Sequence, residues 1–157
     1  MNYYSKKVAV FNIPALIRVS VILWDCGADM YKKYQLTHWK NSFFKTFLIV
    51  MYTALKNCVW GVYEDKKIIA TFQTKIQNKR LHFGKLAVSP KISGKGVGSY
   101  CLTEMEKMAK CQGLTSLTCE VYEKSKHAYD FYIKRGFTVV GEMKTLKYKE
   151  LILEKRL

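Results

Sequence analysis

Apolar residues recur along this chain at two spacings, and the change from one to the other falls near Asn57. Before it, Leu16, Ile17, Trp24, Ala28 and Tyr31 return at roughly helical intervals. Asn12 stands where a cap belongs, and Pro14 in the first turn, where a missing N–H costs nothing. This predicts a helix from residue 13 to about residue 33. Residues 35–41 break the pattern, and a second helix follows Ser42 with Phe43, Phe47, Val50 and Leu55 as apolar positions. After Asn57 the runs shorten. Residues 59–63, 67–76 and 81–88 read as strands separated by short polar turns, an antiparallel meander. A glycine-rich stretch then leads into a helix carrying Val97, Leu102, Met105 and Met108, with Gly113 at its C-cap. Residues 116–122 form a strand, 125–135 a helix closed by Gly136, and 137–143 and 146–155 the last strands. The order ααβββαβαββ predicts an α+β fold, a mixed sheet flanked by helices with two strand–helix–strand crossovers in its second half. With no repeat, linker or low-complexity tract, residues 1–157 read as one domain.

Composition narrows the chemistry only slightly. At 157 residues and 49% apolar content the chain buries a core, which excludes disorder. Lys and Arg outnumber Asp and Glu by 27 to 12, giving a net charge of +15. Such a field favours a nucleotide cofactor, an acidic substrate or nucleic acid, or simply makes a soluble surface. The five cysteines are odd in number, with no CxxC pair and no cluster of His, so no metal site is expected. They fit a reducing cytoplasm. Residues 8–24 are apolar but interrupted by Asn12 and Arg18, and no cleavage signal follows. Residues 43–55 include Lys45 and are too short for a hydrocarbon layer of about 30 Å. A soluble protein without a membrane partner is expected. The late run Lys144, Lys147, Lys149, Lys155, Arg156 reads as a solvated face, since Tyr148 alone supplies an interleaved ring for stacking nucleic acid.

The decisive segment is Leu86, Ala87, Val88, then Ser89-Pro90-Lys91-Ile92, then Ser93, Gly94, Lys95, Gly96, Val97, Gly98 and Ser99. A strand runs into a turn with three glycines, and a helix begins there. The first amides of a helix lack internal partners, and its dipole adds partial positive charge. Glycines let backbone approach a ligand closely, so the turn can cradle phosphate or can be only a tight connection. Lys91 and Lys95 would add favourable charge. Neither GxxxxGK[ST] nor GxGxxG is present.

This segment resembles the acetyl-CoA motif of the GNAT family of N-acetyltransferases, Gln/Arg-x-x-Gly-x-Gly/Ala after an apolar strand, with Ser93 in the Gln/Arg position. A second block resembles the family's strand followed by Asn-x-x-Ala-x-x-x-Tyr and Gly-Phe: Ser125 replaces Asn, while Ala128, Tyr132, Gly136 and Phe137 match. The resemblance covers roughly residues 59–157 well and the first helices loosely. It implies the GNAT fold and transfer of an acetyl group from acetyl-CoA to a primary amine of a small molecule, peptide or protein. A non-catalytic CoA-binding regulatory module of the same fold is the alternative, and preference for another acyl-CoA stays open.

Acetyl transfer to an ammonium of pKa near 10 requires removal of a proton, stabilisation of a developing oxyanion and protonation of the departing thiolate. By resemblance, backbone N–H groups at the end of the 86–88 strand serve the oxyanion and Tyr132 is the general acid. Glu120, on the strand feeding the Tyr132 helix, is the expected base by resemblance, with His82 (also a candidate to touch the substrate), a water relay or an already neutral amine as the alternatives. The family's acceptor groove implies roles for His38 and Trp39. Asp25 and Asp29, four apart on one helix face, are either simply solvated, the plainer reading, or able to hold a cationic amine. A monomer or homodimer is expected.

Overall fold

A computed structural model describes residues 2–145 and 148–157. Its elements are β1 (Tyr4–Lys7), α1 (Ile13–Tyr34), α2 (Phe43–Leu55), β2 (Val59–Glu64), β3 (Lys67–Gln77), β4 (Arg80–Val88), α3 (Val97–Cys111), β5 (Ser116–Tyr122), α4 (Lys126–Ile133), β6 (Thr138–Lys144) and β7 (Lys149–Arg156). Their hydrogen-bonded order is β1-β2-β3-β4-β5-β7-β6. The α+β class stands, with two differences from the expected order.

The first is β1, which pairs antiparallel with β2, Tyr4 opposite Tyr63 and Lys7 opposite Trp60. Three of its four residues are exposed, so no apolar alternation announces it. The second is the place of β7. It lies antiparallel to both β5 and β6, so the β5–α4–β6 connection passes over a strand that arrives later in the chain. The start expected for the last strand, Leu146, and Lys147 of the basic run lie outside the described residues.

Contacts group the chain into two compact units: Met1–Thr74 with Lys85–Glu104, and Lys75–Gly84 with Met105–Leu157. In the first unit, Asn12 Oδ1 accepts from the Ala15 amide at 3.2 Å and Ser42 Oγ from the Lys45 amide at 3.3 Å, fixing where α1 and α2 begin. Leu16, Val19 and Leu23 of α1 join Val50 and Ala54 of α2, Val59 and Ala87 in one core cluster. Ile17, Trp24 and Tyr31, which carried much of the helical periodicity, are exposed. In the second unit, β5 alternates between β7 on one side and a short parallel pairing with β4 on the other, Arg80–His82 opposite Ser116–Thr118. Phe83, Leu117, Phe137 and Leu153 are fully buried there.

Candidate active site

In the first unit, β4 delivers the chain to the glycine turn. Leu86 and Val88 are half-buried and Ala87 is part of the core. The Val88 carbonyl accepts from Cys26 Sγ at 3.1 Å. Burial, and then the neighbouring carboxylates of Asp25 and Asp29, push that thiol up to about 12, so Cys26 is a structural donor and no nucleophile. Pro90–Ile92 make a single 3-10 turn, closed by the Ser93 amide on the Pro90 carbonyl. Gly94 and Gly96 then take φ of 83° and 82°, and a Cβ at either would meet nothing within 4 Å. Backbone conformation, not space, therefore demands glycine at both. Val97 is buried and anchors α3, while Ser93, Lys91 and Lys95 are exposed. Gly98 and Ser99 lie in the first turn of α3, and the N–H groups of Val97 and Gly98 have no acceptor one turn back within the helix. An exposed helix start with two lysines beside it has the chemistry to hold a phosphate-bearing ligand.

In the second unit, three polar side chains from β4 and β5 converge. His82 Nε2 lies 3.0 Å from Glu120 Oε2, and His82 Nδ1 lies 3.2 Å from Thr118 Oγ1. The parallel register sets His82 opposite Thr118, and strand alternation puts Glu120 on the same face as Thr118. The hydrogen bond from His82 holds the Glu120 carboxyl below its ordinary range, against a smaller opposing effect of burial, with the His82 and Lys75 charges adding to the lowering. A carboxylate at Oε2 requires a proton on Nε2 to bridge the two, which leaves Nδ1 facing the Thr118 hydroxyl. The two residues that competed for one role in the sequence are thus one pair. Thr118 went unnoticed there, although its place two residues before Glu120 on one strand face was a usable signal.

Phe83, on the opposite face of β4 from His82, packs its ring 5.7 Å from that of Tyr132. Phe137 and Phe131 lie 5.4 and 5.1 Å from the same ring, and Tyr132 is buried. Position i+7 from the cap places it on the inner side of α4. The cap itself is Ser125, whose carbonyl accepts from the Ala128 and Tyr129 amides. Its side chain makes no cap bond. Ser125 Oγ is buried and has no hydrogen-bond partner among the described residues. Such a group costs stability unless something else bonds it.

The residues expected at an acceptor lie in the first unit, in the loop from α1 to α2. The rings of His38 and Trp39 are 6.2 Å apart. The Trp39 carbonyl abuts α1 so closely that a Cβ on Gly27 would stand 2.4 Å from its oxygen. Trp39 also lines an open cavity of about 320 Å³, counting its mouth, with Leu23, Asn41, Thr46, Ile49 and Lys85. The Lys85 ammonium sits 5.1 Å from the Trp39 ring centre. Asp29 is engaged by Lys33 at 2.9 Å. Among the described residues, no group of three or more His, Cys, Asp or Glu is placed to hold a metal ion.

A family model described as the acetyltransferase (GNAT) family matches residues 19–137. The spermidine N(1)-acetyltransferase of Thermoplasma acidophilum is 23% identical over 145 residues, covering 88% of this chain and 90% of its own length. The crystal structure of PaiA N-acetyltransferase from Thermoplasma acidophilum in complex with coenzyme A is similar with a TM-score of 0.72 at 22% identity, over the whole of both chains. The ribosomal-protein-S18-alanine N-acetyltransferase of Escherichia coli follows at 0.68 and 15% identity, over 99% of this chain and 94% of its own. At these identities the structural likeness shows the fold.

Proposed function

The chain belongs to the acetyltransferase (GNAT) family and is an acetyl-CoA-dependent N-acetyltransferase; within that activity we propose that His82, held by Glu120, takes the acceptor's proton and that Tyr132 supplies one to the departing sulfur. The 3.0 Å contact of His82 with Glu120 carries this reading. A carboxylate held below its ordinary range is a weak base toward an ammonium, whereas imidazoles as a class exchange protons near neutrality. Glu120 fixes the ring with Nε2 protonated and balances the positive charge that proton uptake creates. Nδ1 receives the proton by way of the Thr118 hydroxyl, which donates to it and is recharged from the amine side.

The residues of the chain fit the cofactor. The left-handed backbone at Gly94 and Gly96 and the helix start at Val97 and Gly98 suit its pyrophosphate, with Lys91 and Lys95 adding charge. The orphaned Ser125 hydroxyl suits one polar group of the cofactor's chain. Bound acetyl-CoA supplies the acetyl group as an activated thioester. Backbone N–H groups at Leu86–Val88 would stabilise negative charge on its carbonyl oxygen, and the Tyr132 phenol would donate to its sulfur.

The spermidine acetyltransferase relative makes a polyamine the first acceptor to test, ahead of a peptide or protein amine. His38 and Trp39 are proposed to line the acceptor's path. The family match, running from residue 19 to 137, supports reading the chain as one catalytic domain. We also propose a cytoplasmic enzyme, on the odd count of five cysteines without a CxxC pair. The test is release of free CoA thiol against polyamines, aminoglycosides, amino acids and short peptides, repeated across pH. The acid limb of the rate profile should change in Glu120→Gln. An unchanged profile would remove the pair from proton transfer.

A further inference from the structure

Helix α2 carries apolar residues nearly all round, Lys45 being its one charge, yet only one side is covered. Thr46, Val50 and Ala54, spaced by four, are its buried residues. Phe44, Leu48, Tyr52 and Leu55 form a second stripe at helical spacing, roughly opposite, and they are 69%, 49%, 58% and 64% exposed. A helix hydrophobic all round is ordinarily enclosed on every side. Helix α1 adds a matching stripe. Ile13, Ile17, Trp24 and Tyr31 repeat by four and seven, and all are exposed. Trp24 meets the part-exposed ring of Phe43, the residue before Phe44 at the start of α2, edge to face at 6.4 Å, which brings the two stripes side by side there. Contiguous apolar surface of this kind marks a place of association.

Charge says with what. Between Asp29 and Glu64 the chain has no acidic residue, while Lys32, Lys33, Lys40, Lys45 and Lys56 fall inside that interval. Two of these rest on rings of the stripes themselves: Lys40 Nζ is 3.7 Å from the Tyr31 ring centre and Lys56 Nζ is 4.3 Å from that of Tyr52. Ammonium groups beside exposed tyrosines around an apolar centre match the layering of a membrane surface, with tails below, then amphipathic rings, then phosphates. Among the described residues no helix is long and apolar enough to cross a membrane. A second copy of the chain would bring +15 against +15.

We propose that the outer faces of α1 and α2 lie on an anionic lipid bilayer, with Phe44, Leu48 and Tyr52 in the interface and Lys40, Lys45 and Lys56 at the phosphates. None of these side chains is among those assigned to proton transfer, so the proposal stands independently of that mechanism.

The experiment is co-sedimentation of the full chain with vesicles of equal parts phosphatidylcholine and phosphatidylglycerol, against phosphatidylcholine alone. Binding should be confined to the anionic vesicles, weaken with salt, and fall about tenfold or more in Leu48→Glu and in Phe44→Ser. CoA release in lipid-free solution should stay at its original rate in both variants, which also shows that they fold. Equal sedimentation with both vesicles, no sedimentation, or binding undiminished in both variants overturns the proposal. So does a concentration-dependent dimer that Leu48→Glu dissolves, because the stripes would then be covered by a second copy.

Discussion

Glu120 and His82 hold one another across neighbouring parallel strands, Oε2 to Nε2 at 3.0 Å, with Thr118 closing the other side of the imidazole. Residues acting as a unit lose their effect together. Glu120→Gln and His82→Gln should each lower kcat by about 10²-fold or more, and the double variant should be no slower than the worse single one. Thr118→Ser should retain turnover that Thr118→Val loses. Steady-state kinetics with saturating acetyl-CoA checks all five variants.

The same pair gives stability a pH dependence. The folded Glu120 carboxyl sits below its unfolded value. Its contribution is therefore fully present above the ordinary carboxylate range and is lost as pH falls through the folded value. The gap in urea midpoint between the original chain and Glu120→Gln should shrink steadily from neutral pH into acid. A gap independent of pH would show that the carboxylate's charge is not what the fold uses.

Tyr132 separates packing from chemistry. Its ring is enclosed by Phe83, Phe131 and Phe137, and Tyr132→Phe keeps every one of those contacts. Thermal midpoint and acetyl-CoA affinity should hold while kcat drops by about 10²-fold or more. Unchanged turnover would remove Tyr132 as the acid.

Ser125 separates them in the opposite sense. Its buried hydroxyl bonds nothing among the described residues, so Ser125→Ala should leave the unliganded chain as stable or more so. Acetyl-CoA affinity, read by calorimetry, should weaken by about tenfold, the worth of roughly one hydrogen bond. A loss of stability without loss of affinity would make Ser125 purely structural.

Gly27 inverts a general rule. Alanine in place of a mid-helix glycine ordinarily adds about 0.5–1 kcal/mol. Here the new Cβ would lie 2.4 Å from the Trp39 backbone oxygen. Gly27→Ala should cost about 1–3 kcal/mol in denaturant unfolding, since the loop must move off α1.

Local signals carried far in the sequence, and failed where neighbours in space decide. The caps Asn12 and Ser42 bond as their positions implied, and Gly113 follows α3 with φ of 65°, whereas α4 stops at Ile133, two residues short of the expected end, and Gly136 closes the turn after it with φ of 85°. The direction α1 faces was not legible. Leu16, Val19 and Leu23 and the exposed Ile17, Trp24 and Tyr31 are both apolar at helical spacing, and only packing chooses between them. β1 was invisible because its stability comes from pairing with β2, not from its own largely polar residues. The site followed the same division. The glycine turn is contiguous and was readable whole, whereas His82 and Glu120 became partners only through the β4–β5 register.

The late insertion of β7 also sets an order of events during synthesis. Ser116 pairs with Arg156 and Tyr122 with Glu150, so one full edge of β5 has no partner until the 149–156 segment leaves the ribosome. Until then β6 has nothing to bond to either. An unpaired edge invites strands from other chains. Nascent molecules stalled before residue 149 should therefore be the ones that aggregate or recruit chaperones, while those released with β7 complete the sheet and escape.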